Sequence, residues 1–113
     1  MTHVTNPKDK IGVTKHPMSI LPSTAIRWGA LAAKHGADKY GPYNWRDYPI
    51  HTSVYVDAML RHLYAYWDGE DVDPESGLNH LCHILAGCSI LADAIEHDMV
   101  KDDRPSKAKS KEG

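Results

Sequence analysis

Between Ile84 and Ile95 the chain reads ILAGCSILADAI, apolar on nearly every side of a helix and broken only by Gly87, Ser89 and Asp93. A helix of that character has no face to give to water and must be covered from several directions. The helical pattern extends from Pro74 to about Asp98, and in a chain of 113 residues only two other long segments carry a matching period. The expectation is an all-α fold, a small helical bundle of three main helices completed by oligomerisation. At least a dimer is required, with Gly87 permitting close approach about a two-fold axis.

The first covering helix is expected from Ser23 or Thr24 to about His35, with Ile26, Gly29, Ala30 and Ala33 along one side and Gly36 as its left-handed C-cap. The second runs from Thr52 or Ser53 to Trp67 or Asp68. It places Tyr55, Met59, His62 and Tyr66 on one stripe and Val56, Leu60, Leu63 and Trp67 on the next, with Asp57 and Arg61 as an i,i+4 pair. Residues 1–14 read as a flexible arm, 15–99 as the helical domain, and 100–113, ending KDDRPSKAKSKEG, as a disordered polar tail. Two prolines, Pro17 and Pro22, make the segment leading into the first helix extended.

Composition excludes several classes of function. Net charge is −2 with eight neutral histidines, so no basic field attracts a nucleic-acid polymer. No apolar run reaches the roughly 18 residues of a membrane span, and the start of the chain lacks a signal-peptide core. Cys82 and Cys88 lie on different faces of one helical pattern, too far apart for a disulfide. They read as buried small hydrophobes in a reducing compartment, which places the protein in the cytoplasm.

Chemistry-bearing residues concentrate in Arg61 to His83, RHLYAYWDGEDVDPESGLNHLCH. His62 on one helix is followed by an acidic bend holding Asp68, Glu70, Asp71, Asp73 and Glu75, and then by His80 and His83, whose i,i+3 spacing puts them on one helix face. Glu70, Asp71, His62, His80 and His83 are the candidate metal ligands. Carboxylates suit hard ions and imidazoles suit zinc, iron or nickel, so the mixture alone leaves the ion open. Asp73-Pro74-Glu75 also reads as a helix start, Asp73 as N-cap and Glu75 favoured by the helix dipole. Arg61 is a candidate phosphate fork and His62 a ligand or a satisfied core histidine.

The second concentration is GADKYGPYNWRDYPIH, Gly36 to His51, where Gly41-Pro42 and Tyr48-Pro49 interrupt regular structure. Tyr40 and Trp45 offer faces on which a nucleobase stacks, Lys39 and Arg46 offer phosphate contacts, and Asn44 offers a base or sugar edge. The same aromatics equally serve to cover a small core. Lys15 is either an ordinary exposed lysine or a further phosphate contact.

Several of these pieces occur together in a known family. Lys15/Pro17, Gly36-Ala37-x-Lys39-Tyr40-Gly41, Asn44-Trp45-Arg46, Arg61-His62-Leu63, Gly69-Glu70-Asp71-x-Asp73-Pro74-Glu75-Ser76-Gly77-Leu78 and His80-x-x-His83 cover about residues 10–97. In them the chain resembles the phage and bacterial dATP/dGTP diphosphohydrolases, small all-α proteins akin to MazG-like nucleotide pyrophosphohydrolases. The resemblance implies an oligomeric enzyme that uses Mg²⁺ or Mn²⁺ to cleave a purine deoxynucleoside triphosphate between the α and β phosphates. In a phage this activity reshapes the nucleotide pool of the host cytoplasm. The MazG-like enzymes carry Glu-x-x-Glu on one helix and Glu-x-x-Asp on the next, and none of the helices expected here carries either pair. The acidic bend with His62, His80 and His83 is therefore expected to replace that quartet, with Glu70 or Asp71 as ligand or base and Lys39, Arg46 and Arg61 stabilising charge. The alternative reading is a non-catalytic helical oligomer that sequesters a nucleotide, and a third is a helical interaction protein without a small ligand.

Overall fold

The computed structural model describes residues 6–106. Asn6 caps a short helix α1, Pro7–Gly12, by accepting from the Lys8 N–H, and none of its residues is buried. The first five residues of the expected arm and positions 107–113 of the expected tail lie outside the described residues. A 3-10 turn over Met18–Ile20 leads to α2, Ser23–Tyr40.

Helix α2 runs one turn beyond the expected stop at Gly36. Glycine inside a helix costs only about 0.5–1 kcal/mol relative to alanine, and Lys34 pairs with Asp38 across the position at 3.0 Å. The effective stop is Gly41-Pro42, because proline excludes helical geometry from the residue before it. Gly41 sits at φ +88° and returns its N–H to the Ala37 carbonyl at 2.8 Å. Lys39 and Tyr40 thus belong to the helix and not to a loop.

A four-residue helix α3, Asn44–Asp47, precedes strand β1, Ile50–His51, and then α4, Thr52–Trp67. The last long helix, α5, is His80–Glu96 and is followed by β2, Val100–Lys101. Its start differs from expectation. Asp73-Pro74-Glu75-Ser76 makes a single turn closed by the Gly77 N–H to the Asp73 carbonyl at 2.8 Å, and Gly77 at φ +74° leaves helical geometry. An isolated turn and a helix N-terminus use the same opening residues, so the helix signal was real but was spent on one turn. The working N-cap is Asn79, whose side chain accepts from the Leu81 N–H at 2.8 Å.

As its composition demands, α5 lies between the other two long helices and packs against both α2 and α4. The core at the α2–α5 contact is Ala32, Cys82 and Ala86, surrounded by Trp28, Ala33 and Leu78. At Gly87 a Cβ would fall 2.9 Å from Met59 Cγ, so the close approach that this glycine permits is taken up by α4 of the same chain. Cys82 is buried as expected, whereas Cys88 is exposed and directs its thiol toward Met59 Sδ.

The segment after Met99 is also more ordered than its composition suggested. Ile50 pairs with Val100 and His51 with Lys101 in a parallel two-stranded ladder. Asp103 then accepts from both the N–H and the hydroxyl of Ser53, capping α4 from a distance in sequence. Neither Asp102–Asp103 nor Ser53 carries a local signal of this contact, because the partner is fifty residues away.

Candidate functional site

The inner faces of α2, α4 and α5, together with the acidic loop between Asp68 and Asn79, enclose a cleft of about 700 Å³. That lies within the usual range for small-ligand sites, about 300–1,000 Å³. Each wall follows from the local fold. α4 delivers His62, α5 delivers His80 and His83 one turn apart, and α2 delivers His35 and Lys39 at i,i+4 on one face. The loop delivers Asp73 and Glu75 because it is closed on itself, with Asp73 N–H to the Leu78 carbonyl at 2.8 Å and Val72 bridged to Asn79.

Four histidines meet at one end. The His62 and His83 rings stack with centroids 4.4 Å apart and planes 8° apart, and His35 meets His83 edge-on at 5.9 Å. His62 Nδ1 lies 2.8 Å from His80 Nδ1, and His80 Nε2 lies 2.7 Å from Glu70 Oε1. His83 Nε2 lies 2.7 Å from the Ser76 hydroxyl and 3.4 Å from Asp73 Oδ2. Burial, first of all, pushes the His62 and His83 imidazoles below their ordinary value, and the neighbouring rings add to it. Stacked neutral imidazoles are ligand-ready, since a metal needs their lone pairs. Burial raises the Asp73 carboxyl but is outweighed by the Glu75 N–H, the Ser76 hydroxyl and His83, so it is held below the usual carboxylate range.

Among the described residues, His62, Asp73 and His83 each offer one ligand atom, all within 4.8 Å of one another. Two imidazoles and one carboxylate are the donor chemistry of a transition-series ion, whereas Mg²⁺ favours oxygen donors in near-ideal octahedral geometry. Of the two expected ions Mn²⁺, itself of the transition series, accommodates imidazole more readily than Mg²⁺ does.

The other expected residues divide. Lys39, Tyr40, Asn44, Trp45 and Arg61 line the cleft. Lys39 reaches Glu75 at 2.5 Å, and this bond raises the lysine and lowers the carboxyl. Glu70 touches the cluster only through His80. Asp71 lends its backbone carbonyl to the His80 N–H at 2.9 Å, and its exposed side chain does not line the cleft. Lys15 is exposed near α1, also away from the cleft. Arg46 forms a two-pronged bond with Asp93 of α5, at 2.9 and 3.0 Å, and lies over the Tyr43 ring at 4.5 Å. Trp45 donates its indole N–H to the same carboxylate at 2.7 Å. Arg46, Trp45 in the main, and Asp93 therefore anchor α3 to α5. No ion pair joins Asp57 to Arg61 among the described residues.

Three members of the site are not apparent as such in the sequence. Asp73 and Glu75 read as helix-capping residues, and a helix that ends at Gly36 leaves His35 outside the site. Once the helix continues to Tyr40, His35 and Lys39 fall one turn apart on the cleft face. Tyr55, whose hydroxyl burial pushes above its ordinary value, stands on the opposite wall.

No helix among the described residues is long and apolar enough to cross a membrane. A protein of Salmonella phage PMBT28 named dATP/dGTP diphosphohydrolase is 29% identical over 90 residues. That alignment covers 80% of this chain but 30% of the phage protein, so the chain spans under a third of that relative. No solved structure matches the chain. The family model for the N-terminal part of dATP/dGTP diphosphohydrolases matches residues 5–104, from before α1 to beyond β2, and the chain belongs to that family.

Proposed function

We propose that this chain hydrolyses a purine deoxynucleoside triphosphate to the monophosphate and pyrophosphate. The observation that carries the reading is that one cleft is lined both by the histidine–carboxylate cluster and by Tyr40, Trp45 and Tyr55, with Asn44, Lys39 and Arg61 also lining it. Rings and amide suit a base and sugar, cations suit a triphosphate, and the histidine–carboxylate cluster suits a divalent ion.

His62, Asp73 and His83 would hold the ion, which when bound neutralises phosphate oxygens and lowers the pKa of a water. The water oxygen bonds to the α-phosphorus, the bond to the α–β bridging oxygen breaks, and pyrophosphate departs. Glu75, kept ionised by Lys39, takes the proton from the water. As Lys39 turns to the phosphates, Glu75 loses its partner and becomes the better base. Glu70 acts through His80, and Asp71 contributes its backbone carbonyl to the start of α5. The setting is the cytoplasm, in a phage-infected host if the chain is phage-encoded.

One observation favours a second reading. The carboxylate quartet of MazG-like enzymes has no counterpart on these helices, and a nucleotide held in the cleft without turnover would be sequestered. Incubation with dGTP and dATP, with Mn²⁺, Mg²⁺ or neither, followed by ³¹P NMR separates the two. Monophosphate and pyrophosphate in equal amounts support hydrolysis. Tight binding with no pyrophosphate under any ion supports sequestration.

A further inference from the structure

We infer that Glu70 and His80 are not metal ligands but positioning residues, a hydrogen-bonded relay that fixes the tautomer of His62 and turns its Nε2 lone pair toward the ion. The inference deepens the proposed metal site in the cleft and rests on that assignment.

The proton positions follow from the two distances and from the ligand role given to His62. An ionised carboxylate can only accept, so the 2.7 Å contact between Glu70 Oε1 and His80 Nε2 requires the proton on His80 Nε2. For His62 to give the ion a lone pair from Nε2, its own proton must sit on Nδ1, which makes His80 Nδ1 the acceptor. His80 Nδ1 lies 2.8 Å from His62 Nδ1, a separation that needs one proton between the two nitrogens. It must come from His62. His62 is thus the Nδ1–H tautomer, and its remaining nitrogen, Nε2, carries the free lone pair.

Burial enforces the arrangement. The His80 side chain is 4% exposed, so neither ring nitrogen has water as a substitute partner, whereas the Glu70 side chain is 52% exposed and sits at the solvent end. The Asp71 carbonyl accepts the His80 N–H at 2.9 Å and fixes the backbone from which the ring projects. Metal-binding histidines commonly donate the second nitrogen to a carboxylate or carbonyl, which orients the ring and raises its basicity. Here a second histidine is inserted between ligand and carboxylate. The adjacent Glu70 and Asp71 then have different tasks despite their shared charge.

The test uses the purified chain and Mn²⁺, with no nucleotide, so its failure is distinct from an absence of pyrophosphate release. Long-range ¹H–¹⁵N correlation of the metal-free protein at pH 8 should find His80 protonated on Nε2 and His62 on Nδ1. Manganese titration followed by electron paramagnetic resonance should show Glu70→Met weakening affinity by about 10–100-fold. Glu70→Gln keeps an acceptor oxygen at the same reach and should stay close to wild type. Equal loss in both variants would make Glu70 a direct ligand and overturn the relay. So would wild-type affinity in both, an Nε2–H tautomer or imidazolium at His62, or wild-type protein that leaves Mn²⁺ free. The tautomer measurement stands on wild type alone if Glu70→Met does not fold.

Discussion

Lys39 Nζ and Glu75 Oε1 meet at 2.5 Å, joining the last turn of α2 to the acidic loop across thirty-six residues. Both side chains remain substantially exposed, so the contact closes the cleft without holding the fold together. Lys39→Ala should therefore leave the Tm nearly unchanged. It should weaken deoxynucleoside triphosphate binding by about tenfold, the loss of one hydrogen bond to a charged group. Affinity for the unphosphorylated deoxynucleoside should not change. Calorimetric titration with the two ligands makes the comparison, and equal loss for both would remove Lys39 from the phosphates.

Asp93 accepts from Arg46 twice and from the Trp45 indole once. Arg46 first and Trp45 second hold its carboxyl far below the usual carboxylate range. A folded-state pKa below the unfolded value contributes stability that is present above the unfolded value and is lost as pH falls through the folded one. Wild-type Tm should decline on acidification below about pH 4, the unfolded carboxylate value. Asp93→Asn should start from a lower Tm at pH 7 and show a shallower acid decline. Parallel melting curves for the two proteins would contradict this.

How much of this was legible in the sequence depends on the range of the contact. The all-round apolar helix forced burial from two sides, and α2 and α4 supply it. The histidines could be grouped because they cluster in sequence and α5 adds its own i,i+3 geometry. By contrast, Asp73-Pro74-Glu75 carries signals shared by a helix start and an isolated turn, and only Gly77 at φ +74° separates them. The pairing of Ile50 with Val100 spans two residues of ladder and leaves no pattern to detect. Arg46 reads as ligand-facing because Asp93, its partner, lies almost fifty residues away, and the same distance conceals the bond from the Trp45 indole N–H, although the Trp45 ring does line the cleft.

Met59 fills the space that Gly87 leaves, with Cγ 2.9 Å from where a Cβ would stand. Gly87→Leu should cost about 1–3 kcal/mol by overpacking. Because the clash is within one chain, the drop in Tm should not depend on protein concentration, and Met59→Ala should restore part of it. A concentration-dependent loss that Met59→Ala fails to relieve would return Gly87 to a contact between chains.

We propose that self-association uses a different surface. On α4, Leu63 is 45% and Trp67 83% exposed, while Ile26 of α2 is 61% exposed. No large side chain among the described residues is fully buried, which leaves one chain with a small core for its size. Sedimentation equilibrium at micromolar concentration should find at least a dimer, and Leu63→Asp should shift it toward monomer. A well-folded wild-type monomer would contradict the assembly.

Asp73 has two tasks that substitutions can separate. Its Oδ1 accepts the Glu75 N–H at 3.2 Å and its Oδ2 accepts the Ser76 hydroxyl at 3.0 Å, which shapes the turn. It also supplies the carboxylate of the three-donor cluster with His62 and His83. Asparagine keeps an acceptor oxygen for the turn but loses the negative charge that a divalent ion requires. Asp73→Asn should therefore melt close to wild type without metal, whereas Asp73→Ala, which can make neither hydrogen bond, should lose about 1–2 kcal/mol. Manganese separates them further. A ligand at one hundred times its Kd stabilises the native state by about 2.7 kcal/mol, so wild type should rise in Tm with added Mn²⁺. Asp73→Asn should show little of that rise. A full manganese-dependent shift in Asp73→Asn would exclude its carboxylate from the centre and leave it only the turn.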